Sequence, residues 1–275
     1  MLTEKLFIEK RKSSDIKVEV KVPTEAVVGS SVELICEWRL FGGNGLYSVK
    51  WYKDEHEFFR YMPESEQRIL MFSQPGVNIE KKPNEKSIKL RDLVLASSGQ
   101  YKCEVSTEAP FFATTYQTAN LTVISLPERG PEITGLSSHY AVGENVTANC
   151  TAWPSVPKAN LRWTINGELV PHENTVQHPP LAPFSTGGIP NSLGLRLEAE
   201  PRHFESGGGG GGGLVKIKCF AEVGSRVYEA ERTVPMAYVN NQKLSAGDHL
   251  HAAARSVRAD LLVPFAVFAL LLLTT

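Results

Sequence analysis

Apolar and polar residues alternate with a period of two through most of the chain. Ile16, Val18, Val20 and Val22 alternate with charged neighbours and stop at Pro23, the pattern of an edge strand closed by a turn. Val32, Leu34, Cys36 and Trp38 repeat the alternation, as do Val49 with Trp51 and Tyr101, Cys103 with Val105. Turn-forming runs such as Phe41-Gly42-Gly43-Asn44-Gly45 and Gln74-Pro75-Gly76 separate these segments. The second half repeats the plan with Val146, Ala148 and Cys150, then Leu161-Arg162-Trp163, then Val215, Ile217 and Cys219. Many short strands with regular turns predict an all-β sandwich or barrel.

The order Cys36, Trp51, Tyr101, Cys103 selects the immunoglobulin-like sandwich. One cysteine from each sheet bridges the core, the tryptophan packs on the bridge, and a tyrosine two residues before the second cysteine returns its hydroxyl to the backbone. The pattern recurs in Cys150, Trp163 and Cys219, but Ile217 stands where that tyrosine would be. The predicted fold is two tandem immunoglobulin-like β-sandwiches. A variable-type domain spans residues 16–125, and a constant or C2-like domain spans residues 132–240. Residues 126–131, within the turn-rich Ser125–Pro131 (SLPERGP), form the linker, short enough to make a stiff joint. The expected disulfides are Cys36–Cys103 and Cys150–Cys219. Each would contribute about 4 kcal/mol on a loop-entropy account, and both imply a secretory route. The long Trp51–Tyr101 interval leaves room for the extra strands of a variable domain. A run of seven glycines, Gly207–Gly213, precedes Leu214-Val215-Lys216-Ile217, which reads as a strand. A phosphate-binding loop needs a helix at that point, so the run reads as an expanded turn.

Both ends raise processing questions. Residues 1–15 are charged throughout and contain no apolar signal core. They are read as a leader from which the signal peptide of a secreted protein is missing. Residues 241–275 contain the small triplet Ser245-Ala246-Gly247, then a polar spacer, then the apolar run Leu261–Leu273. That run is shorter than the roughly 20 residues of a spanning helix. Small triplet, spacer and greasy tail are the arrangement of a GPI-attachment signal with Ser245 as the attachment point. The expected location is the outer side of the plasma membrane, with a short membrane anchor or a secreted form as alternatives.

Candidate chemistry points to binding. The formal net charge of -1 supplies no field that would gather nucleic acid. The histidines fall in no metal spacing, no nucleophile elbow is present, and no catalytic constellation or small-molecule site stands out, so neither an enzyme nor a cofactor or metal is expected. Asn120, Asn145 and Asn149 head N-glycosylation sequons, and alternation turns all three outward. Because Trp51 points inward, Lys50 and Tyr52 point outward, and Lys102 and Glu104 share that direction on the partner strand. With Phe58, Phe59, Arg60 and Tyr61 these form the candidate partner-binding surface, rich in the residue types of binding hot spots. Alternation also requires some of those aromatics to fill the sandwich instead, in a register set by the preceding turn.

The stretches LYSVKWYKDEHEFFRYMP (Leu46–Pro63) and SGQYKCEVSTEAPFFAT (Ser98–Thr114) resemble the Beaten path family of insect neuronal immunoglobulin proteins. VPTEAVVGSSVELIC, ENVTANCTAWPS and LRWTINGELVP are similar to the same family. The resemblance implies secretion or membrane anchorage, a role in axon guidance and synaptic partner choice, and binding of a Sidestep-like immunoglobulin receptor on another cell through the first domain. Leu46–Pro63 and Lys102–Glu104 become the expected receptor-facing sheet. A generic adhesion or immune-type immunoglobulin protein, or a secreted soluble ligand with a different partner, is the alternative.

Overall fold

The computed structural model describes residues 16–43, 45–80, 83–179, 181–184, 187–204 and 212–237. The leader, the tail from residue 238 with Ser245, and Gly207–Gly211 lie outside the described residues. In the first domain the alternating segments become β1 (Ile16–Lys21), β2 (Glu25–Val27), β3 (Val32–Leu40), β4 (Leu46–Lys53), β5 (His56–Tyr61), β6 (Ile69–Met71), β7 (Ser87–Leu90), β8 (Gly99–Thr107) and β9 (Thr114–Ile124). One sheet has the order β1-β3-β7, extended by a single bridge between Ile79 and Leu90. The other has the order β2-β9-β8-β4-β5-β6. Pro23 ends β1, and after it the chain crosses to the opposite sheet, where β2 runs parallel to β9. The additional strands β5 and β6 on the sheet that carries β8 and β9 are the variable-type plan.

The second domain contains β10 (Glu132–Thr134), β11 (Tyr140–Ala141), β12 (Asn145–Ser155), β13 (Asn160–Ile165), β14 (Glu168–Leu169), β15 (Thr175–Gln177), β16 (Ile189–Glu198), β17 (Gly212–Val223) and β18 (Arg226–Ala237). Its sheets are ordered β10-β12-β16-β15 and β11-β18-β17-β13-β14. Two-residue strands β11 and β14 extend the three-stranded sheet of a constant domain at both edges. The last two residues of the glycine run belong to β17, with Gly213 opposite Met236.

Each sandwich has its own core, and both use one register. Trp51 lies opposite Cys103 across β4 and β8, and Trp163 lies opposite Cys219 across β13 and β17. The disulfides Cys36–Cys103 and Cys150–Cys219 span the sheets with Cα atoms 6.3 Å apart in both domains, and both tryptophans are fully buried. In the first domain the Tyr101 hydroxyl donates to the Ser97 carbonyl at 2.7 Å. Burial, followed by the charge of Asp54, raises the pKa of this phenol and keeps it a donor.

The second domain pins the corresponding corner differently. Asn166, at φ 51° in the β13–β14 turn, accepts the Lys216 amide at 3.0 Å and donates to the His203 carbonyl at 2.9 Å. The His203 ring in turn accepts the Glu200 amide N–H at Nδ1, 3.1 Å away. Burial, then the neighbouring Arg202, lowers the His203 pKa from 6.5 against smaller opposing effects of Glu200 and Glu168. The folded state therefore binds this proton less tightly than the unfolded chain. Its contribution to stability is complete above pH 6.5 and is lost as the pH falls through the lowered folded-state value. Urea midpoints measured between pH 7.5 and pH 5, values chosen as roughly one unit either side of the ordinary histidine pKa, should fall for the native chain. They should change less over that window in His203→Ala, which already lacks the Glu200 acceptor.

Candidate functional site

The register that turns Trp51 inward sets the outer face of the same strands. Lys50 lies opposite Glu104 and Tyr52 opposite Lys102. Lys50 Nζ is 3.4 Å from Glu104 Oε1, and the Tyr52 hydroxyl donates to the same oxygen at 3.3 Å. Lys102 Nζ sits 4.5 Å from the centroid of the Tyr52 ring and 5.6 Å from that of Tyr116 on β9, and it pairs with Glu55 at 2.5 Å. On β5, Arg60 holds Glu57 through two bonds of 2.6 and 2.8 Å, and its guanidinium lies 5.9 Å from the Phe72 ring centroid.

Each of these three cations thus has its own carboxylate. The Lys102 side chain is only 15% exposed, so its ammonium is held among two ring faces and an anion rather than extended into water. Burial, then the charges of Glu104 and Glu57, pushes the Tyr52 phenol up to about 12, leaving it protonated at neutral pH. The hydrogen bond from Arg60 to Glu57 raises the arginine pKa further. Around this paired centre the open apolar surface includes Tyr116 (60% exposed), Tyr47 (55%) and Phe72. Such a face offers flat rings bordered by hydrogen-bonding groups whose charges are already compensated.

The β4–β5 turn places Glu55. Asp54 and Glu55 both have positive φ, 47° and 67°, as a two-residue hairpin turn matched to the strand twist requires. Asp54 holds that conformation by accepting the Gln100 amide at 2.9 Å and pairing with Lys53 at 2.6 Å. These contacts, the Lys53 bond first, lower its pKa.

Five of the eight surface residues expected from the sequence come together here: Lys50, Tyr52, Arg60, Lys102 and Glu104. The other three do not. The β4–β5 register shifts between Trp51 and Tyr52, so that Phe59 lies opposite Trp51 while Glu57 lies opposite Tyr52. The additional residue is Phe58, and this bulge turns two consecutive phenylalanines inward. Both are fully buried, and the Phe58 ring meets the Tyr101 ring edge-on at 6.0 Å. Alternation then resumes, with Tyr61 opposite Val49, half-buried against the first-domain core. Glu55, Glu57, Phe72, Tyr47 and Tyr116 were not expected. Only Tyr116 had a readable signal, because it shares strand parity with Asn120.

Asn120 is exposed on the same sheet, opposite Gln100 and four residues beyond Tyr116, roughly 13 Å along the strand. Asn145 is exposed on β12, whereas Asn149 is half-buried, with its carboxamide oxygen enclosed and unpartnered. Among the described residues no three or more His, Cys, Asp or Glu side chains gather as metal ligands, and no helix is long and apolar enough to cross a membrane.

These features define tandem immunoglobulin-type domains, the first of the variable kind. Residues 19–124 match the immunoglobulin V-set domain. The chain is similar to human cell adhesion molecule 2, 35% identical over 87 residues that make up 32% of this chain and 19% of that protein. It is also similar to cell adhesion molecule 3 of Xenopus laevis, 29% identical over 87 residues, or 31% and 20% of the two proteins. The chain thus spans about a fifth of the length of the curated relatives it matches. Murine CEACAM1b shares the two-domain fold, with a TM-score of 0.54 and 14% identity over 82% of this chain and 100% of that structure. V-set domains and adhesion molecules of this kind are generally non-enzymatic.

The two classes of aromatic should separate in a stability measurement. Phe59→Ala should cost about 3–5 kcal/mol by emptying a core site. Tyr116→Ala should cost under about 1 kcal/mol, the worth of an exposed cation–π contact. Urea denaturation of the two variants checks this, and comparable losses would return Phe59 to the surface or Tyr116 to the core.

Proposed function

We propose that this chain is a cell-surface recognition protein whose first domain binds an immunoglobulin receptor of the Sidestep type on an opposing cell. The proposed setting is axon guidance and synaptic partner choice. The supporting observation is the outer face of β4, β5, β8 and β9, where Lys102 stands between Tyr52 and Tyr116 within a set of paired charges. Tyrosine and arginine dominate binding hot spots because they bury large rigid surfaces at little entropic cost and retain polar tips. Similarity of the chain to cell adhesion molecules agrees with a surface role.

Asn120 and Asn145 are the proposed glycan carriers, being the two open sequons. A glycan on Asn120 would border the face at the linker end and confine the partner to the part around Lys50, Glu104 and Tyr116.

Replacing Lys50 and Tyr52 together by alanine should weaken receptor binding at least tenfold, the equivalent of about 1.4 kcal/mol, while the chain remains secreted and folded. Biosensor titration of the soluble ectodomain against Sidestep-like receptors measures this, and undiminished binding would remove this face from consideration. The second reading, a generic adhesion or immune-type protein, is favoured by the similarity to cell adhesion molecules. A screen against extracellular proteins that returned such a partner and no Sidestep-like receptor would select it.

The proposed anchorage is a GPI lipid on Ser245, from the small triplet, polar spacer and apolar tail. Phosphatidylinositol-specific phospholipase C should release the protein from intact cells. Spontaneous release into the medium would instead support a secreted ligand.

A further inference from the structure

The two sandwiches belong to one compact unit that ends at Ala237, and they meet through contacts that neither core needs. Glu25, on the short strand β2, reaches the β17–β18 turn 200 residues further along the chain. Its Oε2 accepts the Ser225 amide N–H at 3.0 Å, and its Oε1 accepts the Ser225 hydroxyl at 2.7 Å. Gly224 has φ 56°, and a Cβ there would press on the Glu25 carboxylate and lie 3.0 Å from the Ile124 side chain. Glycine is favoured there by the backbone conformation, and a side chain would displace the Glu25 carboxylate from its present place.

A second set of contacts follows the linker. Ser125 and Val156 exchange both backbone hydrogen bonds, at 2.9 and 3.0 Å, so the end of β9 continues as one ladder rung on the chain leaving β12. Leu126 packs against Ala152, Ala159, Ala221 and Val223. The Arg129 guanidinium lies 3.6 Å from the Trp153 ring centroid. These ties fix where the domains join. A single ladder rung still permits rocking about itself, and domains of one chain move relative to each other by default unless a large apolar interface holds them. Glu25 lies on a different strand from the linker, so its contact with Ser225 opposes that rocking.

We infer that Glu25 is a positioning residue that locks the two domains at one bearing by clasping Ser225, so that the outer face of β4, β5, β8 and β9 is held at a fixed angle to the second domain. The inference goes beyond the proposed receptor and does not depend on what the face binds.

The test uses the full chain, spin-labelled through Glu33→Cys and Arg196→Cys, one exposed strand position in each domain; all four native cysteines are paired. Double electron–electron resonance should give one narrow interdomain distance distribution, and Glu25→Ala should broaden it. Glu25→Gln, which keeps one acceptor oxygen, should restore much of the narrowness, a rescue not expected from loss of packing alone. Ser225→Ala, made from the other domain and keeping the amide contact, should broaden the distribution in part and gives an independent reading if Glu25→Ala lowers expression. A distribution that stays equally narrow in Glu25→Ala and Ser225→Ala overturns the inference. So does one that is already broad in the native background.

Discussion

The molecule depends on one pairing, Trp51 opposite Cys103 with the Cys36–Cys103 disulfide completing the core beside it. A strand has two faces and a side-chain period of two, so fixing one inward residue fixes every other residue on the strand until a bulge intervenes. With Trp51 and Cys103 inward, Lys50, Tyr52, Lys102 and Glu104 have only the outer face available. A one-residue slip of β4 would drive Lys50 into the core, and one of β8 would drive in Lys102 and Glu104, each away from its present partner. The disulfide and tryptophan that hold the fold together therefore also specify the recognition face.

Parity accounts for what could be read in the sequence and what could not. On β4 and β8 the inward residues are unmistakable, so the outward ones follow without coordinates. On β5 the count starts at a turn whose conformation the residues do not advertise: Asp54 and Glu55 adopt positive φ without a glycine or asparagine between them. The equivalent turn of the second domain is the conspicuous Asn166-Gly167 pair, which that geometry favours. The bulge at Phe58 then adds a residue that period-two reasoning cannot count. Three aromatics expected on the surface consequently face the core, while Glu57 and Phe72 join the surface through contacts between strands that no local pattern encodes. The disulfide-bonded architecture was legible because it rests on residue types with few alternative roles, whereas the composition of the face rests on register.

The chemistry of the face follows from its compensated charges. Lys50 with Glu104, Lys102 with Glu55, and Arg60 with Glu57 leave little net field to steer a distant partner. Partly buried pairs also have less hydration to lose on docking than free lysines. The corresponding risk lies in mismatch. A partner that inserts a charge without matching the existing pairs separates one of them and leaves a desolvated ion behind, a penalty that rejects wrong partners more strongly than the pairs attract right ones. Discrimination on such a surface is carried by ring shape and hydrogen-bond placement, with the Tyr52 hydroxyl held as a donor toward Glu104.

The second domain meets a different requirement, and its departures from the first are consistent with it. It replaces the tyrosine corner with side-chain bonds from Asn166 and His203, which pin the turn locally. Its glycine run enters β17, where Gly213 takes part in the ladder with Met236 and the buried side chains begin only at Val215. Pairing there needs backbone alone, which glycine supplies as well as any residue. The same strand ends at Val223, beside the Gly224–Ser225 turn that meets Glu25. Twelve residues of β17, roughly 40 Å of extended chain, separate the start of the strand from the interdomain contact. The glycines that open β17 thus lie at the end of the hairpin away from the joint, and the end that meets the first domain is the one where a Cβ on Gly224 would press on the Glu25 carboxylate.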